Sequence, residues 1–100
     1  MIPWTTPTFT FRAKESSEVD FTEAEDMIFS IVQGDTKIEK AVTPAEAKVV
    51  EVFLTQAESG LLVKGKAKVQ LNWNYSNGNR SASYVRNINI DDQLHTEVMT

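Results

Sequence analysis

From Lys66 to Tyr75 the chain alternates without interruption, with Ala67, Val69, Leu71, Trp73 and Tyr75 on one parity and only polar side chains on the other. Successive side chains of an extended strand point to opposite faces, so this run is a strand with one dry and one wet face. Wound as a helix, the same residues would scatter their apolar set around the circumference. Ser76-Asn77-Gly78-Asn79 follows, and its Asn-Gly pair suits a tight hairpin that needs two residues at positive φ. The return segment from Arg80 to Ile90 changes phase: Ala82 and Tyr84 share parity with Ile88 and Ile90, but Val85 does not. Either a bulge or a passage from one sheet to another accounts for that change.

The rest of the chain supplies partners for this strand. Thr8 to Arg12 alternates with Phe9 and Phe11 inward, and Met27 to Gln33 is nearly all apolar, as suits a strand covered on both faces or central in a sandwich. Gly34-Asp35 turns the chain into Thr36 to Val42, an edge strand with Ile38 and Val42 on the core side and Lys40 interrupting the pattern. Thr43-Pro44-Ala45-Glu46 has the composition of a helix start, but the β-branched run Val49 to Thr55 favours a turn at Pro44 to Ala47 and a strand after it. Thr55-Gln56-Ala57-Glu58 repeats the capping spacing, and Gly60 limits it to one helical turn, after which Leu61 and Leu62 plug an end of the core. The expectation is an all-β, antiparallel, Ig-like sandwich of six to seven short strands with at most one or two helical turns. A single domain spans residues 1–100, with loose ends at 1–5 and 92–100.

Composition narrows the chemistry. The chain has 14 acidic and 10 basic residues and a net charge of −4, so it lacks the basic footprint that a nucleic acid or an anionic membrane requires. No apolar run has the length of a membrane span or a signal peptide, and the expected location is the cytosol of the producing cell or a particle assembled there. The absence of cysteine removes disulfides, thiolate nucleophiles and thiolate-held metals. The single histidine, His95, lies in a polar tail and reads as a solvated bystander rather than a ligand or base. The acidic residues between Glu15 and Asp26 fit no EF-hand loop and read as a solvated loop. The glycines are single and scattered, so no phosphate-cradling loop is present. No catalytic residue, cofactor or metal is therefore assigned.

Aromatic residues are the remaining candidates. Trp73, Tyr75 and Tyr84 would serve as a glycan-stacking platform if exposed, although Trp73 and Tyr75 continue an apolar stripe and core is the favoured reading for them. Trp4, beside two prolines and without a periodic partner, either caps the sandwich or anchors a neighbouring subunit; Phe9 is a second candidate interface residue.

The order of elements resembles small structural proteins encoded in prophages of Gram-positive bacteria, similar to the N-terminal β-sandwich of phage baseplate upper proteins. The likeness rests on Thr6 to Phe11, Met27 to Gly34, Val52 to Glu58, Val69 to Trp73, Asn77-Gly78-Asn79 and Ser81-Ala82-Ser83. Thr43 to Lys48 departs from the family's plain turn, and Glu15 to Asp26 is more acidic. The resemblance implies a noncatalytic virion or tail module whose partners are proteins, either further copies of itself or other virion proteins, and it transfers no site residue. The alternative is a small carbohydrate-binding module.

Overall fold

The alternating run becomes β5 (Gly65–Tyr75), the strand around which the larger of two sheets is built in this computed structural model, which describes residues 1–99. Ala67, Val69, Leu71 and Trp73 are buried and the alternate side chains face solvent or lie half-buried. On one side β5 pairs with β2 (Ala24–Gln33), which in turn pairs with β3 (Thr36–Ala41). On its other side it pairs with β6 (Arg80–Ala82) and β7 (Arg86–Ile90), one after the other along the same edge. The second sheet contains β1 (Thr8–Arg12) and β4 (Val49–Phe53), also antiparallel. The result is an all-β, sandwich-like fold of seven strands, two in one layer and five in the other.

The layers meet through aromatic rings. Phe9 and Phe11 of β1 place their ring centres 5.1 and 5.8 Å from Phe29 of β2, which is wholly buried. Val50 and Val52 complete the inner face of β4. Of the apolar run in β2, Met27, Phe29 and Ile31 face the core, while Ile28 and Val32 lie on the outer face and are about 40% exposed. This strand is therefore central in its sheet and covered on one face, which decides between the two readings of its composition.

The phase change in the return strand is a bulge. Between the pairs Asn72–Ala82 and Val69–Arg86, two residues of β5 face three on the opposite segment. The extra residue switches the inward set from Ser81 to Ile88 and Ile90, and no strand changes sheet. Ser83 closes the gap in the ladder: its N–H donates to the Leu71 carbonyl at 2.8 Å, and its hydroxyl accepts the Leu71 N–H at 2.9 Å. With both backbone groups of Leu71 satisfied, Tyr84 and Val85 can project outward; Tyr84 is 97% exposed.

The hairpin after β5 differs from the expectation of two positive-φ residues. Gly78 alone has positive φ, at 87°, and its N–H donates to the Tyr75 carbonyl at 3.0 Å. That pattern is the three-residue loop ending in a glycine bulge, in which Asn77 keeps an ordinary φ and accepts from the Asn79 N–H through its side chain at 2.9 Å.

Two connections depend on capping chemistry. Residues 43–48 are irregular and the β-branched run is β4, as the strand reading requires. Thr55 and Glu58 form a capping box that starts α1 (Gln56–Ser59), and Gly60 ends it after one turn. Of the two leucines that follow, Leu62 is buried and Leu61 is 59% exposed, so one residue rather than two closes that end of the core.

Both chain ends lie outside the strands and make hydrogen bonds to the rest of the fold. The Asp91 N–H donates to the Met1 carbonyl at 2.7 Å, the Gln93 amide to Pro3 at 3.2 Å, and the Ser59 hydroxyl to Thr5 at 2.7 Å. The far end is held by the Gln56 side chain, which donates to the Met99 carbonyl and accepts from its N–H. These partners come from α1 and from each other, so periodicity within either end could not reveal them.

Candidate functional site

An antiparallel pair directs the backbone groups of alternate residues toward its partner and those of the others away. Leu54 N–H donates to Pro7 at 3.1 Å and Ala13 N–H to Lys48 at 2.8 Å, which sets that alternation for the two-stranded sheet. The N–H and carbonyl groups of Thr8, Thr10 and Arg12 therefore point away from β4, and those of Val49, Glu51 and Phe53 point away from β1. A two-stranded layer has two such open edges, and unpaired edges invite further strands.

Each edge is covered by one cation from the larger sheet. From β3, the Lys40 ammonium donates to the Phe53 carbonyl at 2.7 Å and lies 4.8 Å from the centre of the Phe53 ring. From β7, the Arg86 guanidinium donates to the Thr10 carbonyl at 3.2 Å and lies 4.9 Å from the centre of the Phe11 ring. Lys40 thus interrupts the apolar pattern of its strand for a reason: it faces inward at the rim and spans the two layers. It also pairs with Glu58 at 2.9 Å. The Glu58 carboxyl is held below the ordinary glutamate range, first by the Thr55 N–H and then by Lys40. Arg86 has no ion-pair partner among the described residues.

Beside the β1 edge the sandwich is incompletely filled. A groove of about 480 Å³ runs between the segment from Phe11 to Val19 and the bulge from Ala82 to Arg86. Phe11, Phe21, Leu71 and Trp73 form its apolar floor. The ring centres of Phe21 and Trp73 are 5.1 Å apart in an edge-to-face arrangement, and the Trp73 indole N–H donates to the Tyr75 hydroxyl at 3.0 Å, so the floor is packed and its polar atom satisfied. Arg12, Lys14 and Arg86 line the walls, and no carboxylate does among the described residues. In a chain of net charge −4 the groove is a local concentration of positive charge.

The loop on the β1 side is held in place by Lys48, whose ammonium donates to the Ser17 carbonyl at 2.8 Å and also to that of Val19. The Phe21 N–H donates to Ala47 at 2.9 Å. Asp20 caps the following 3-10 turn (Phe21–Glu23), and the Thr22 hydroxyl and N–H draw its carboxyl below the ordinary aspartate range. The acidic segment is thus part of the groove's support, and Phe21 is its contribution to the floor. Among the described residues no group of three His, Asp or Glu side chains is placed to hold a metal ion.

The aromatic candidates separate by position. Phe9 is buried against Phe29 and offers no ring to another chain. Trp4 lies on Gly60: a Cβ at that glycine would stand 2.4 Å from the indole, so the close approach requires glycine there. Trp4 itself has φ of 64°, a conformation that costs a bulky residue about 1–3 kcal/mol and is held by its surroundings. Trp73 and Tyr84 line the same groove, one at its floor and the other at its rim, whereas Tyr75 borders a separate, more open and larger depression of about 790 Å³ with Glu18, Glu23 and Asn79. His95 is exposed after β7.

Arg86 and Ser83 have no role legible in the sequence, and Lys40 stands out there only for interrupting the pattern of its strand. A cation at an inward-facing parity is the one signal that existed for Lys40; for Arg86 the bulge hid the parity. No helix among the described residues is long and apolar enough to cross a membrane. Comparison with protein-family models, curated proteins and solved structures finds no match.

Proposed function

We propose that this chain is a noncatalytic structural module that acts through protein–protein contacts, in the setting its sequence resemblance suggests: a phage tail or virion assembly. The observation that supports this reading is the uneven sandwich. Two strands lie over five, and the shortfall leaves the outward backbone groups of β1 beside an apolar groove with basic walls. Such an edge is the place where a strand from another protein adds, with main-chain hydrogen bonds for affinity and side-chain pockets for selectivity. Multi-angle light scattering on the purified chain, alone and with the products of neighbouring genes, tests the reading. Association with itself or with one of those products is the expected result; a strict monomer at high concentration that binds none of them overturns it.

The carbohydrate-binding alternative has one observation in its favour, the almost fully exposed ring of Tyr84 at the groove rim. Titration with cell-wall glycans, read by tryptophan fluorescence from Trp73 below that rim, should give no response on the assembly reading and a saturable one on the alternative.

A further inference from the structure

The segment after β7 has the reverse chemistry of the groove. It carries Asp91, Asp92 and Glu97, and Leu94, Thr96 and Val98 fall on one parity, the pattern of a strand with a single apolar face. That face has no core to enter: Leu94 is 99% exposed and Val98 is 47% exposed. A strand-patterned, acidic segment without a sheet and a basic, apolar groove without a strand therefore occur in one molecule.

They cannot meet in register within a single chain, because Leu94 falls short of the groove floor and Met99 is held at Gln56 of α1, beside the opposite edge. Ile90 pairs with Gly65, and Leu71 lies six residues farther along β5, about 20 Å at the rise of an extended strand. Leu94 is four residues beyond Ile90 and extends at most about 14 Å. A second copy has no such limit.

We propose that the segment from Asp92 to Met99 of one copy docks as an added strand on the β1 edge of a second copy, deepening the assembly reading on which this inference rests by naming its partner. Leu94 and Val98 enter the groove over Leu71 and Trp73, and Asp92 and Glu97, one on each face of the strand, meet the rim cations Arg12, Lys14 and Arg86. In the isolated chain Arg86 occupies the Thr10 carbonyl. The incoming strand takes that carbonyl and leaves the guanidinium to a carboxylate, so Arg86 covers the edge until the strand arrives. Docking requires the donor to release its own Gln56–Met99 bonds, the Gln93–Pro3 bond and the Lys64–Asp92 ion pair. Because donor and acceptor are different surfaces, the contact is heterologous and continues head to tail, into a ring or a filament.

Sedimentation velocity over a concentration series tests this with two full-length variants. Leu94→Asp/Val98→Asp spoils the strand and leaves the groove; Arg12→Glu/Lys14→Glu spoils the groove at two exposed positions and leaves the strand. Each variant alone should lose self-association by roughly a hundredfold. An equimolar mixture should form a one-to-one dimer and nothing larger, since each pair retains one good strand and one good groove. Raising the salt concentration should weaken the parent's association. If the parent associates and the variants do so equally well, or if their mixture stays monomeric, the strand exchange is wrong while assembly through another surface stands. If the parent is monomeric throughout and also binds no neighbouring gene product, both fail. Circular dichroism of each variant separates loss of docking from loss of fold.

Discussion

The two open edges of the small sheet are built alike and finished differently. At the β4 edge Lys40 bonds an edge carbonyl, lies over a phenyl ring and is itself held by Glu58, whose place is set by the capping box of α1. At the β1 edge Arg86 repeats the first two contacts and, among the described residues, has no carboxylate to anchor it. A groove, rather than a helical turn, lies beyond. One cation is enough to occupy an edge; a carboxylate with its own fixed position is what closes it. The contrast leaves the β1 side as the edge whose cation is unanchored and whose flank is an open groove, which is why the proposed reading places the partner there.

The comparison is broken most completely from beneath. Phe29→Ala removes the ring on which both Phe9 and Phe11 rest, and the cost should be about 3–5 kcal/mol, since a large buried aromatic leaves a cavity the layers cannot close. Urea denaturation should show that loss, with both edges failing together. A smaller effect than that of an ordinary surface substitution would mean that the two layers do not depend on each other.

Lys40→Ala and Arg86→Ala sharpen the comparison. Lys40→Ala should cost about 1–2 kcal/mol, because it removes a half-buried ion pair and uncovers an edge carbonyl, with some discount for solvent screening. Arg86→Ala should cost about 1 kcal/mol or less, since no carboxylate loses its partner. Denaturation midpoints in urea check the order; the reverse order would remove the basis for calling one edge closed.

Acid should act on the closed edge in a way it cannot on the other. The Glu58 carboxyl is depressed in the folded chain, by the Thr55 N–H first and Lys40 second. A depressed carboxylate contributes stability that is present above its unfolded value, 4.5 for a glutamate, and is lost as pH falls through the lower folded value. Stability measured downward from about pH 5 should therefore fall less steeply in Lys40→Ala than in the parent, though not flatten, because the Thr55 bond remains. Arg86→Ala should keep the parent's slope. The smallest effect is expected at Tyr84→Ala, which should leave stability within about 0.5 kcal/mol of the parent because that side chain is solvated.

Much of this was legible in order along the chain, for a simple reason: a strand with one wet face writes its orientation into alternate residues. β1, β5, the short α1 with its capping box, and the change of phase near Val85 could all be placed that way. The groove could not. Phe21 reaches it from an acidic loop, Trp73 from the middle of an apolar stripe, and Arg86 from beyond a bulge. No periodicity within any one segment indicates that the three are neighbours. Trp4 shows the same limit from the other side, since an aromatic without a periodic partner in sequence finds one in space, on Gly60.

The sequence by itself determined that the chain is extended and layered, because local alternation and turn residues are properties of neighbours along the backbone. Only the tertiary structure decided how the strands divide between the layers, and with that which edge is closed and which is left beside a groove. That division depends on long-range pairing. Once two strands must cover five, part of the larger sheet is left without a covering strand, and the charges that gather at the gap come from segments far apart in the chain.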